Sequence, residues 1–225
     1  MLLLLIETSS INCSVALCDE HQVLASIEKC EQNVHASFLT LYINEVLTTA
    51  NKKIEDIDAI AVGKGPGSYT GLRIGVSTAK GLCYSLDKPL ISCNSLNTLF
   101  IQAKEINHQE NAIYCPLIDA RRMEVYSCMM NARGESLSEI SAIILNEQSY
   151  EEILKENKMI FFGDGAEKTK SLFTSSENIE YIDNLYPSAT AMKEEALMKF
   201  HSKNFEDVAY FEPYYLKEFF LTTKK

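Results

Sequence analysis

The same run of elements occurs twice in this chain of 225 residues, and that repetition limits the fold more than any other feature. From the start, LLLLIE (2–7) is an apolar strand, TSSIN a polar turn, CSVALC (13–18) a second strand, DEH a turn and QVLASIE (22–28) a third strand. HASFLTLYINEVLTTAN (35–51) follows with helical spacing that sets Leu39, Tyr42, Ile43, Val46, Leu47 and Ala50 on one face, and IDAIAVG (57–63) is a buried strand. From residue 112 the order returns. AIYCPLID (112–119) ends in an acid, ARR turns, and MEVYSCMM (123–130) and LSEISAIIL (137–145) are the next strands. Ser149 and Glu152 have the spacing of a capping box for a helix over roughly 149–157, and KMIFFGDG (158–165) closes the unit. Glu7 then corresponds to Asp119, and Gly63-x-Gly65 to Gly163-x-Gly165. Agreement in order, element type and acid placement points to a duplicated β-β-β-α-β unit.

Such a unit, present twice, resembles the ribonuclease-H-like domain as duplicated in actin, hexokinase and the heat-shock ATPases, the ASKHA folds. The fold class expected is α/β, with one lobe over residues 1–105 and a second over 106–225, facing each other across a cleft. NSLNTLFIQAKEI (94–106) joins the lobes, and SATAMKEEALMKFHSKN (188–204) is a final helix, free to pack back on the first lobe, before a Tyr- and Phe-rich tail. The strand-end acids and the Gly-x-Gly turns are expected to converge on the cleft, where a nucleotide can sit.

Between the last strand of the first unit and the next helix lies GKGPGSYTGLRIG (63–75), which holds five of the nine glycines. Gly63, Gly67, Gly71 and Gly75 recur every fourth residue and Ala79 extends the series, so a helical stretch here presents a bare face that admits another backbone. Glycine weakens a helix by about 1 kcal/mol relative to alanine, so the pattern needs a reason. Three are open: a phosphate cradle at a helix start, close packing against a partner helix, and a tight turn with close helix–sheet contact. The phosphate reading lacks its usual patterns. No G-x-x-x-x-G-K-[ST] occurs, and Thr70 stands where G-x-G-x-x-G requires its last glycine.

Composition excludes some functions. A net charge of −10 without a basic run argues against this chain alone gripping a nucleic-acid backbone, so RNA would be held through a basic partner. The seven cysteines (13, 18, 30, 83, 93, 115 and 128) form no C-x-x-C pair and read as reduced core residues. MLLLLI has no basic residue before it and is interrupted by Glu7, so it reads as a central strand rather than a signal or membrane segment; the expected location is the cytoplasm.

IETSS near the start, GPGSYTGLRIG, DARRMEVY (119–126), FGDGAEK (162–168) and PYYLKE (213–218) together resemble the bacterial TsaB (YeaZ) family over nearly the full length. That resemblance implies a role in making threonylcarbamoyladenosine, the modified base beside the anticodon of tRNAs that read codons beginning with A. It implies a non-catalytic dimerisation subunit that binds and activates the paralogous catalytic transferase, alongside a small ATPase, and reaches tRNA only through the complex. No cofactor is expected to bind this chain tightly, and ATP only in the complex. The family's phosphate-loop-like turn falls on Glu7, Thr8 and Ser9, with Glu7 in place of the usual aspartate. Its glycine block falls on Gly65, Pro66, Gly67, Ser68, Thr70, Gly71, Leu72 and Arg73, with Tyr69 where phenylalanine is common. The second-lobe motif falls on Asp119 to Arg122 and Glu124 to Tyr126, and Lys217 replaces a frequent arginine.

Histidine separates the paralogues. The transferase carries an H-x-x-x-H pair on a helix, which sets two imidazoles on one face for a metal. Here His21, His35, His108 and His201 never fall within four residues of each other, so no metal site and no catalytic residue is expected, and His35 reads as a cap or surface residue. The same absence, with that of H-E-x-x-H, argues against a metallopeptidase. Ser9, Ser10 and Ser68 lack a G-x-S-x-G elbow. Glu7 and Asp119 read either as a carboxylate pair or as turn caps, and one of Arg121 and Arg122 is expected to pair with an acid. The vestigial nucleotide cleft is accordingly assigned to Glu7, Thr8, Ser9, Gly65, Gly67, Ser68, Asp119, Arg121, Gly163 and Gly165. The partner interface is assigned to Gly71, Leu72, Gly75, Val76, Ala79, Cys83 and Leu86, meeting either the paralogue or a second copy of this chain. The alternative is an active nucleotide-dependent enzyme of the same fold, an ATPase or small kinase.

Overall fold

Strands β1 (Leu3–Glu7), β2 (Asn12–Cys18) and β3 (Val23–Cys30) form an antiparallel meander, after which helix α1 (Val34–Thr49) crosses to β4 (Ala59–Gly63), parallel to β1. Helix α2 (Tyr69–Leu86) then returns the chain to β5 (Leu90–Cys93), parallel to β4. The computed structural model describes residues 1–31, 34–173 and 177–217, which leaves Glu218 of the PYYLKE motif outside. Helix α3 (Ser95–Ile106), capped by Asn94 Oδ1 on Leu96 N and Asn97 N, leads to the second unit. That unit holds β6 (Ile113–Asp119), β7 (Glu124–Ser127), β8 (Ser141–Ile144), α4 (Glu151–Leu154), β9 (Met159–Phe162), α5 (Glu167–Lys170) and β10 (Ile179–Ile182). The sheets run β3-β2-β1-β4-β5 and β8-β7-β6-β9-β10, the same order twice. The duplicated ribonuclease-H-like architecture is therefore present.

Why β1 reads as unbroken apolar sequence is clear from its neighbours. Leu2, Leu4 and Ile6 face a core shared with Tyr42 and Val46 of α1 and Val76 and Ala79 of α2. Leu3 and Leu5 face the opposite way, into a second core with Met192, Ala196 and Leu197 at and within α6 (Lys193–His201). A strand covered on both faces has no polar side to alternate.

Several expectations are corrected. Each unit carries a fifth strand, β5 or β10, that the β-β-β-α-β reading omitted. Ser149 caps no helix: its Oγ accepts from Asn146 N at 3.0 Å, and α4 is a single turn entered through Tyr150 at φ 65 without a side-chain cap. The strand expected over 123–130 ends at Ser127, with Met130 returning to bridge Tyr114. The final helix is shorter than 188–204, beginning as a 3-10 turn at Thr190–Met192.

Candidate functional site: the cleft between the lobes

The turn after β1 is built against the glycine series. A Cβ on Gly63 would lie 2.3 Å from Glu7 Oε2, one on Gly67 2.2 Å from the Ser9 carbonyl, one on Gly71 2.1 Å from the Thr8 carbonyl and one on Gly75 2.2 Å from Thr8 Oγ1. Each of these glycines therefore makes room for the turn Glu7-Thr8-Ser9 of this same chain. The expectation of a bare face for a partner is corrected on that ground. Gly71, Leu72, Gly75, Val76, Ala79 and Cys83 are buried, and Leu86 is half-buried. The outward stripe of α2 is instead Thr70, Arg73, Ser77, Gly81 and Tyr84, all exposed, with Tyr84 at 86%.

Glu7 decides what the turn can hold. Its side chain is fully buried and curls back so that Oε1 accepts Thr8 N and Ser9 N, each at 2.8 Å, while Ser95 Oγ donates to Oε2 at 3.0 Å. Burial pushes this carboxyl up from its ordinary range, and the Ser9, Ser95 and Thr8 donors pull it back. Two successive backbone N–H groups and a hydroxyl converging on one carboxylate form an anion cradle, and here the chain supplies the anion itself. The donors that a nucleotide phosphate would need at this turn are taken, so the residues do not fit that group.

In front of the turn lies an interlobe cavity of about 670 Å³ lined by Ser9, His35, Gly67 and Ser68 from the first lobe, Asp119, Arg121 and Asp164 from the second, and Tyr215 and Lys217 from the tail. Of the residues assigned to the cleft, Ser9, Gly67, Ser68, Asp119 and Arg121 line this cavity, whereas Glu7, Thr8, Gly65, Gly163 and Gly165 lie behind it. Gly65 (φ +97) stands over Leu72, and Gly163 (φ +101) lets the second-lobe turn press on the Leu117 carbonyl, which Gly165 N bonds at 2.9 Å. Ser68 is the N-cap of α2, its Oγ accepting Gly71 N at 3.3 Å.

The carboxylates do not pair as Glu7 with Asp119. Asp119 stands with Asp164, whose Oδ1 accepts Asp119 N at 2.9 Å, and Lys168 Nζ joins Asp119 Oδ2 at 2.8 Å. Burial raises the Asp164 carboxyl to about 6, against the Asp119 amide that it accepts. Lys168 holds Asp119, and the expected pairing of Arg121 or Arg122 with an acid is not found among the described ion pairs; both arginines are exposed at positive φ, 70 and 48. His35 is likewise not a surface residue. Only 8% of it is exposed, Nε2 has no partner, and burial pushes the imidazole down, with the backbone of Asn12 and Ser10 acting the other way. Asp164, Lys168 and the tail tyrosines were not singled out from sequence, although Asp164 sits inside the Gly-x-Gly turn that was. Among the described residues no group of three or more His, Cys, Asp or Glu side chains could hold a metal.

Comparison with known proteins gives this geometry its family. The TsaB protein of tRNA threonylcarbamoyladenosine biosynthesis from Haemophilus influenzae is 31% identical over 224 residues, spanning 96% of this chain and 93% of the relative. The chain belongs to the TsaB family. The family model described as TsaD, tRNA N6-adenosine threonylcarbamoyltransferase, also matches residues 28–211, so the chain shares its domain type with that enzyme. A transferase of that name from Fervidobacterium nodosum is 36% identical over 111 residues, but over only 43% of this chain and 33% of the enzyme. A solved Pseudomonas aeruginosa protein described as similar to the peptidase YeaZ superposes with a TM-score of 0.82 at 24% identity, over 96% of this chain and 99% of that one, which shows the fold. No helix among the described residues is long and apolar enough to cross a membrane.

Proposed function

We propose that this chain is a non-catalytic subunit that binds the paralogous threonylcarbamoyl transferase and activates it in forming N6-threonylcarbamoyladenosine beside the anticodon of tRNAs reading codons that begin with A. The observation that carries the reading is Glu7, whose carboxylate fills the anion cradle at the β1 turn and leaves it without a phosphate site. A chain that keeps the domain but occupies its own cradle is suited to be held by an enzyme rather than to be one. ATP enters this account only within the complex, with the small ATPase, and tRNA only through the assembled subunits; a net charge of −10 supports the latter. The place of action is the cytoplasm.

The docking surface is the outward side of α1 and α2, where Phe38 (42% exposed), Leu41 (57%) and Tyr84 (86%) stand as uncovered anchors. A partner of the same domain type carries equivalent helices, so the two can meet through like faces, as two copies of this chain would. Leu41→Glu and Tyr84→Glu are expected to leave folding within about 0.5 kcal/mol, because both side chains are exposed. Together they should weaken binding of the purified transferase at least about tenfold, roughly 1.4 kcal/mol, with a matching loss of tRNA modification in a reconstituted reaction. Unchanged affinity would place the partner elsewhere. A second reading, an ATPase or small kinase, draws on the paired carboxylates Asp119 and Asp164 at the cavity.

A further inference from the structure

The tail runs backwards along α2 and then leaves it for the other lobe. Lys80 Nζ donates to the carbonyls of Ala209 and Phe211 at 3.1 and 2.9 Å, and Phe211 packs against the first core. Two turns nearer the start of α2, Arg73 Nε donates to Tyr215 Oη at 3.3 Å and the Tyr215 ring lies 5.0 Å from that of Tyr69, over which the Arg73 guanidinium sits at 4.2 Å. Tyr214 N donates to the Lys64 carbonyl at 2.8 Å. Three residues later Lys217 Nζ pairs with Glu124 Oε2 on β7 of the second lobe. Tyr215 and Lys217 both line the interlobe cavity, where the buried Nε2 of His35 is without a partner.

We propose that Pro213–Lys217 is a latch across the cleft, tying the start of α2 to β7 and setting access to the cavity behind it. One ion pair between partly exposed groups is weak and screened by salt, so it can open without unfolding either lobe. The aromatic and cation–π contacts at Tyr69, Arg73 and Tyr215 hold the first-lobe end, and Lys217 is the releasable end. This inference is independent of the functional reading, since every contact lies within the isolated chain.

Hydrogen–deuterium exchange of the full chain tests it. Lys217→Glu sets two carboxylates against each other and should raise exchange several-fold at residues 69–73 and 124–127, which it does not alter covalently. Tyr215→Ala should do the same, and the reversed pair Lys217→Glu with Glu124→Lys should restore protection. Faster exchange confined to 213–217, or failure of the reversed pair to restore protection while both variants keep the wild-type melting temperature, would overturn the latch. Global loss of structure in a single variant that the reversed pair does not repair would overturn it too, by showing that Glu124 serves only its own lobe.

Discussion

Glu7 is the residue on which the account turns. Removing its side chain leaves Thr8 N, Ser9 N and Ser95 Oγ without an acceptor at a fully buried position, so Glu7→Ala should cost about 2–4 kcal/mol by denaturant unfolding. Glu7→Gln keeps an oxygen for both amides and should cost less than about 1 kcal/mol; equal losses in the two variants would show that the hydrogen bonds are not what matters. Asp164 makes a prediction of opposite sign. Its carboxyl is raised to about 6 from 3.8, so the folded state binds a proton that the unfolded chain has released between those values, and stability falls as pH rises from about 4 to 6. Asp164→Asn should remove that slope and raise stability at pH 7 by something of order 2 kcal/mol, since an amide oxygen can still accept Asp119 N. A variant with the wild-type pH profile would refute the burial argument. Neither role was legible in sequence. The departure of Glu7 from aspartate was visible, but that its extra methylene turns the carboxylate back onto its own turn follows only from the position of Gly63.

At the scale of elements, α2 was predicted in place and misread in orientation. Its every-fourth-residue glycines are plain in the sequence, and a bare face does mark a close approach. Sequence could not say what approaches, because β1 and α2 are brought together through β4, sixty residues apart in the chain, and not by local pattern. Gly75→Leu therefore tests packing within the chain and not docking. Its Cβ would meet Thr8 Oγ1 at 2.2 Å inside a buried contact, so the substitution should cost at least about 3 kcal/mol, or roughly 6–12 °C in melting temperature for a chain this size. A folded, fully stable Gly75→Leu chain would contradict the close approach. The strands that escaped sequence reading, β5 and β10, have four residues each. They owe their form to pairing with β4 and β9 rather than to periodicity.

Across the whole molecule, the duplicated order was legible because each unit repeats strand, helix and acid in sequence, and the two sheets carry it through. What the duplication did not preserve is symmetry at the cleft. The first-lobe acid is buried and satisfied by its own turn, while the second-lobe acid stands at the cavity beside Lys168 and Asp164. The two lobes thus share a fold and differ in chemistry, and the proposed function takes that difference as the separation between a chain that lends a surface and one that handles a nucleotide. Calorimetric titration of the isolated full chain with ATP and Mg²⁺ tests that separation most directly. The account predicts no saturable heat and no turnover; micromolar binding accompanied by hydrolysis would contradict it and favour an enzyme working at Asp119 and Asp164.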